Sequence, residues 1–289
     1  MPSTREIRRR IRSVENTAKV TNAVQLVAAS KMRRAQLRAQ AARPYAESMR
    51  RMLAHLGGLG GGEEGPLHPL LERREVKETT IVLITPDRGL AGGLVSNLHR
   101  HAGELALSPE QQGRVSMVPV GRKGIDYFGR FDLPFRGEFQ HLGDYPGLDD
   151  TRPISRIAMD DYASGAVDQV LLVYASFVST VSQKPTTIQL LPVEPPASEE
   201  TASEVQYIFE PSPAEVLSEL LPRYVEMQVY QAVLESAASE QSARMVAMRN
   251  ATDAANDMLG DLRLEYNKAR QEQITSELLD IVGGVEAMA

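Results

Sequence analysis

The sequence predicts a long helix at each end of the chain and a mixed α/β body between them. Three observations carry that prediction. Residues from about Thr4 to Met52, and again from about Ser212 to Met288, repeat an apolar stripe at steps of three and four. The residues between them alternate β-branched runs with amphipathic stretches. A glycine-rich run from Gly57 to Gly65 separates the first helix from the body. Helices of this length need tertiary packing to be stable in water, so the two stripes are expected to pack on each other or on a partner. The expected division is a first helix over 1–56, a flexible loop over 57–74, an α/β domain over 75–211 and a last helix over 212–289.

The seam of the first helix runs Ile7, Ile11, Val14, Ala18, Thr21, Gln25, Ala28, Met32, Ala35, Ala39, Ala42. This is a heptad pattern with arginine-rich flanks, as in a coiled coil. Its alanines allow two helix axes to approach closely. A second apolar edge, Val20, Val24 and Val27, lies off the seam and is free for another surface. Pro44 is expected to kink or end this helix.

The last helix starts with Ser212 as N-cap, Pro213 at the first helical position and Glu215 three residues after the cap. Pro222 is expected to bend it. Leu234, Ala238, Gln241, Met245, Met248, Thr252, Ala255, Leu259, Leu262, Tyr266 and Ala269 form the complementary seam, which makes the pair an antiparallel coiled coil. A further stripe, Ile274, Leu278, Ile281, Val285 and Met288, is shifted in phase. At about 1.5 Å per residue the last helix would extend about 110 Å and the first about 70 Å. The longer helix should therefore end in an unpaired apolar tip that needs a socket in another protein.

The body reads as a Rossmann-like α/β domain with a mostly parallel sheet. Its strand candidates are Thr79–Thr85, Val115–Val120, Val167–Phe177, Thr186–Pro192 and Val205–Phe209. Its helix candidates are Gly93–Leu107, Lys123–Arg130 and Ile154–Ser164.

Composition narrows the function classes. Hydrophobic residues are 42% and charged residues 24%, and no apolar run reaches the length of a membrane span. The N-terminus has no apolar h-region, so no signal peptide is expected, and acidic Glu6 with the early amphipathic pattern argues against a transit peptide. Cysteine is absent, which excludes disulfides and thiol chemistry on this chain. The net charge of −6 hides an asymmetry: residues 1–51 hold 13 Lys/Arg against three Asp/Glu, and residues 211–289 hold six against 13. A basic and an acidic helix suit side-by-side packing.

No constellation supports catalysis, and no cofactor or metal is expected. Asp87-Arg88-Gly89-Leu90-Ala91-Gly92-Gly93 follows a strand and opens a helix, but it lacks both the GxGxxG pattern and the Gly-Lys-Ser/Thr of a P-loop. Gly121-Arg122-Lys123-Gly124 fits an anion site but fits a turn better. His55, His68, His99, His101 and His141 form no ligand-spaced cluster. Asp149-Asp150 and Asp160-Asp161 read as solvated pairs. Arg8-Arg9-Arg10 with Arg12 could contact nucleic acid, but the unbroken seam and the lack of stacking aromatics favour a coiled coil. Two other classes stay in view at this point: a nucleotide-binding α/β enzyme and a basic coiled-coil nucleic-acid binder.

Several long motifs then stand in one order. TREIRRRIRSVENTAKVTNAVQLVAASKMRRAQ at the start resembles the N-terminal helix of the gamma subunit of F-type ATP synthases, bacterial type. SEQSARMVAMRNATDAAND, Ser239 to Asp257, and YNKARQEQITSELLDIVGGVEA, Tyr266 to Ala287, resemble its C-terminal helix, and TPDRGLAGG resembles its strand-to-helix turn. The resemblance implies a central rotor stalk, present in one copy and not itself an enzyme. Its partners would be a sleeve of alpha and beta subunits, an epsilon subunit and a membrane c-ring, with no nucleic acid and no insertion into the membrane. It implies a peripheral place on the cytoplasmic face of the bacterial plasma membrane. By motif position, Arg270 and Gln271 would meet an acidic catch loop of beta, with Arg8, Arg9 and Arg33 as further contacts. Ile274, Leu278, Ile281 and Val285 would be the bearing tip, and Tyr207 and Glu210 would face the c-ring. The chain departs from the common pattern at Val24, where Met is frequent, and at Ala91, where Cys is frequent. It also departs at Asp280, Gly283 and Val285 near the end.

Overall fold

The computed structural model describes residues 3–59, 68–108, 114–194 and 212–286. Tyr207, Glu210 and the strand candidate Val205–Phe209 lie outside the described residues, as do the side chains of Val285 and His55. The described elements are α1 (Thr4–Leu59), β1 (Glu78–Ile84), α2 (Leu94–Ala106), β2 (Arg114–Val120), α3 (Arg122–Phe128), α4 (Leu148–Ala163), β3 (Gln169–Phe177), β4 (Gln183–Leu191) and α5 (Pro213–Glu286). The chain packs as two units, one of residues 1–28 with 244–289 and one of residues 29–243.

In the first unit α1 and α5 pair antiparallel. Thr4, Glu15 and Thr21 of α1 bond Gln273, Arg263 and Thr252 of α5, so one number falls as the other rises. The predicted seam is the buried line: Ile7, Ala18 and Ala28 on α1 and Met248, Ala255 and Leu259 on α5 are all buried. Steps of three and four keep these residues on one stripe.

The second unit is built on a sheet of order β2-β1-β3-β4. β1 lies parallel to β2 and to β3, while β3 and β4 are antiparallel with a register shift at Val170/Leu171. Strand alternation divides the core. Val82, Ile84, Val118, Val120 and Leu172 face a cluster with Ile154 and Tyr162 of α4 and Leu217, Leu221 and Val225 of α5. Ile81, Leu83, Met117, Val173 and Ala175 face a second cluster with Leu94 and Leu98 of α2 and Phe128 of α3. Burial on both faces is why the central strands read as unbroken apolar runs.

Some details go beyond the sequence pattern. α1 continues as helix through Pro44 to Leu59, a little past the expected boundary at 56, and α5 continues as helix through Pro222. A proline removes one helical hydrogen bond, and burial on both sides outweighs it: Ala39, Met49 and Leu53 flank Pro44 and are buried. Within the stretch read as a loop, Pro69–Leu71 form a turn of 3-10 helix whose Leu70 is buried in the core. α4 begins at Leu148, ahead of Ile154, because the Asp150 carboxylate accepts the Gly147 N–H at 2.8 Å and supplies the helix start.

Candidate functional site

The site residues expected from motif position fall into both units. Arg8, Arg9, Arg270, Gln271, Ile274, Leu278 and Ile281 belong to the paired-helix unit, and Arg33 belongs to the sheet unit. Arg8 donates to the Tyr266 hydroxyl, and its guanidinium lies 5.4 Å from the centre of that ring. This contact and the Thr4–Gln273 bond at 3.0 Å bracket Arg270. Arg8, Arg9, Arg270 and Gln271 therefore share one end of the coil, and all four are exposed. Arg33, in the sheet unit, is exposed on α1.

The Thr4–Gln273 bond joins the N-terminal start of α1 to α5. Beyond it α5 continues to Glu286, and Ile274, Leu278, Leu279 and Ile281 are 47%, 57%, 65% and 63% exposed. A run of large apolar side chains in water is unfavourable, and here no residue of the described α1 covers it. Val20 and Val27 on α1 are also exposed, at 62% and 54%.

The seam carries polar rungs that the apolar pattern did not single out. The Thr21 and Thr252 hydroxyl oxygens are 2.7 Å apart, with the carbonyls of Ala18 and Met248 within reach of one hydroxyl each. Arg263 donates to Glu15 at 3.2 Å. The presence of Thr at two seam positions was the only sequence signal for such a rung.

The sheet unit has a cleft where open α/β sheets commonly take ligands, outside the carboxyl ends of the strands. It is lined by Thr85 and Asp87 after β1, Gly121 after β2, Ala175 of β3, and Ser236 and Glu240 of α5. Its free volume is about 60 Å³, room for water but far below the several hundred Å³ of a nucleotide-sized site. α5 fills the crevice: the Ser239 hydroxyl donates to the Ala175 carbonyl at 2.9 Å and the Ser236 hydroxyl accepts the Ala175 N–H at 3.3 Å. Asp87 accepts the N–H groups of Arg122 at 2.9 Å and His141 at 3.0 Å. A carboxylate of the chain itself thus takes these two backbone donors.

Several titratable groups weighed in the sequence have structural partners. His99 is buried against Tyr127, with ring centres 4.2 Å apart, and burial lowers its pKa. Burial also lowers the pKa of His68, whose ring accepts the Leu70 N–H at 3.2 Å. His101 bonds Thr187 at 2.8 Å. Asp149 pairs with Arg152, Asp160 with Arg156 and Asp161 with Arg136. Among the described residues no group of His, Asp and Glu has the arrangement of a metal site.

The ATP synthase family profile matches residues 3–288. The chain is 56% identical over 289 residues to the ATP synthase gamma chain of Dehalococcoides mccartyi (strain ATCC BAA-2266 / KCTC 15142 / 195), covering all of both chains. The chain belongs to this family. It is 48% identical over 292 residues to the gamma chain of Chloroflexus aurantiacus (strain ATCC 29366 / DSM 635 / J-10-fl), covering all of this chain and 99% of that one. Among solved structures it is similar to a chain of the Tetrahymena thermophila mitochondrial ATP synthase central stalk/c-ring. That match has 26% identity and a TM-score of 0.63, and covers 80% of this chain and 99% of that one. A rotor chain of the Euglena gracilis enzyme shares the fold at 19% identity and a TM-score of 0.66, covering 94% and 98%.

Proposed function

We propose that this chain is the central rotor stalk of an F-type ATP synthase. In that role it performs no bond chemistry itself and couples ion-driven rotation of a c-ring to conformational change at catalytic sites on beta subunits. The observation that carries the reading is the antiparallel pair of helices with small buried residues at its seam, ending in the exposed apolar stretch Ile274–Ile281. Membership of the gamma-chain family supports it.

The physical demands agree. A shaft inside a sleeve of alternating alpha and beta subunits must be thin, stiff and asymmetric. Alanine at seam positions gives thinness, pairing of two helices gives stiffness, and unequal helix ends with opposite charge give asymmetry. One orientation of such a shaft can favour one set of states in the three surrounding sites, which is a coupling free energy and not a chemical step. The apolar tip, Ile274, Leu278, Ile281 and Val285, suits a bearing, because hydrophobic contact is non-directional and resists turning less than a set of hydrogen bonds would. Arg270 and Gln271 are the leading contacts for an acidic catch loop of beta. Arg9 and Arg33 are further contacts, and Arg8 would have to act while bound to Tyr266. Tyr207 and Glu210 are assigned to the c-ring side, beside the epsilon subunit. The place in the cell is peripheral, on the cytoplasmic face of a bacterial plasma membrane. No described helix is long and apolar enough to cross a membrane.

The test is reconstitution with alpha and beta subunits. The chain should join them in an asymmetric complex that turns over ATP, while the chain alone hydrolyses none. Truncation after Gln273 should leave the sheet unit folded and weaken assembly or coupling. An intact chain that never joins alpha and beta subunits would remove the reading.

A further inference from the structure

The loop between the sheet and α4 is fastened along its length. Phe139 bridges Val120 and accepts the Gly121 N–H at 2.7 Å. His141, at φ 63°, donates its N–H to Asp87 at 3.0 Å, and Leu142 packs into the core. Gly147 is tied to Asp150 at the start of α4. Such anchoring holds the loop tip, Asp144 and Tyr145, in one place.

That tip lies on α1. Lys31 Nζ is 2.7 Å from Asp144 Oδ2, and Arg34 donates to the Tyr145 hydroxyl at 3.2 Å. The guanidinium carbons of Arg34 and Arg38 lie 5.9 and 4.7 Å from the centre of the Tyr145 ring. Positions 31, 34 and 38 are spaced by three and four, so all three cations stand on one face of the helix.

We propose that these five residues form a clasp that fixes the rotational setting of α1 on the sheet domain, so that torque applied to that domain passes into the helix. The proposal rests on the rotor reading above. Near the clasp α1 buries only small residues, Ala35 and Ala39, while its large buried side chains in this unit, Met49 and Leu53, lie more than two turns further along. A shallow alanine ridge by itself offers little resistance to a helix turning about its own axis. Long side chains that reach out to a charge and to an aromatic face act at a larger radius and in a set direction. Lys31, Arg34 and Arg38 are therefore positioning residues for coupling.

The absence of cysteine permits a direct test. A single Leu107→Cys substitution, at a residue 86% exposed on the sheet unit, gives one attachment point for a bead. The chain is assembled with immobilised alpha and beta subunits, and rotation is followed on ATP. Angular fluctuation of the bead in a nucleotide-locked pause then reports torsional stiffness. Tyr145→Ala, Lys31→Asp and Asp144→Lys should each widen the variance by about twofold, because contacts of this exposure shift local equilibria a few-fold. Tyr145→Phe keeps the ring and should stay near wild type. The combined Lys31→Asp/Asp144→Lys exchange should recover most of the stiffness and controls for faulty folding of the single variants. Unchanged variance in a complex that rotates normally overturns the clasp. Widening by the single variants with no recovery in the exchange also overturns it and assigns the cations to an outside acidic surface. A wild-type bead that never turns on ATP instead refutes the rotor reading.

Discussion

Replacing Thr21 and Thr252 by valine, singly and together, tests how the two helices hold their register. Valine keeps the shape of threonine and removes only the hydroxyl. The two hydroxyls own two protons. The pair can be arranged as Thr21 to Thr252 to the Met248 carbonyl, or as Thr252 to Thr21 to the Ala18 carbonyl. Either arrangement satisfies both donors. Thr21→Val leaves Thr252 bonded to Met248 but takes the hydrogen bond it accepted, and Thr252→Val does the mirror image. Each single change should cost about 0.5–1.5 kcal/mol, the usual net worth of a hydrogen bond at a half-buried position. The double change removes both polar groups and extends the apolar seam through Ala18, Ala28, Met248 and Ala255. It should cost less than the sum of the singles and come out near neutral, with a coupling energy of about 1 kcal/mol. Urea unfolding of the full chain, followed by helical circular dichroism, supplies the four free energies. Strict additivity, or a double variant less stable than either single, would refute the account of the rung. A polar rung also specifies alignment, so the double variant should be the more tolerant of slipped pairings even if equally stable.

Four further outcomes follow from local geometry. Gly121→Ala should destabilise the sheet unit by about 3 kcal/mol or more in denaturant unfolding. The glycine sits at φ +98°, and an added Cβ would lie 1.9 Å from the Thr85 carbonyl oxygen, which forces the ends of β1 and β2 apart. His99 has a folded pKa below 6.5, set mainly by burial. The stability it contributes is therefore complete above pH 6.5 and is lost as pH falls through the folded value, and His68 acts in the same sense. His99→Leu should flatten the decline in thermal midpoint between pH 7 and 5, and an unchanged slope would count against this assignment. Tyr174 is raised to about 12 by burial first and by the nearby Glu235 carboxylate second. Its contribution is present below pH 10 and disappears as pH rises from 10 to 12, a loss that solvent screening of this partly exposed ring holds to about 1–2 kcal/mol and that Tyr174→Phe should abolish in alkaline unfolding. Arg270→Ala, at an exposed position, should lower the ATPase activity of the reconstituted complex while leaving helical circular dichroism unchanged. Equal loss of both would make Arg270 a structural residue.

The seams were legible in the sequence because a helix repeats its faces every three or four residues whatever surrounds it, and the buried residues Ile7, Ala18, Ala28, Ala255 and Leu259 follow that repeat. The strands were legible because a sheet covered on both faces demands runs such as Ile81–Ile84 and Val170–Val173. The unpaired apolar stripe after Gln273 could be anticipated from helix length alone. The burial of Met49 and Leu53 beyond Pro44 could not, since the glycine-rich run that follows them gives no sign that this last part of α1 joins a core. Asp144 and Tyr145 gave no signal, because a loop has no periodicity to show which helix face it will meet.

The amino-acid sequence by itself determined the periodic features: which stripes are apolar, which runs are strands, where charge concentrates, and the family motifs at both ends. The tertiary structure decided how the long helices are divided. Residues 4–28 of α1 and 244–286 of α5 pair with each other through small residues, and the remaining parts of both helices join the sheet through Leu53, Leu217, Leu221 and Val225. It also decided that α5, with Ser236 and Ser239, fills the crevice at the strand ends, leaving a free volume of about 60 Å³. The reason is the range of the interactions. Periodicity is set by the backbone within a few residues, whereas the partner of each stripe is chosen by shape and burial between segments far apart in the chain.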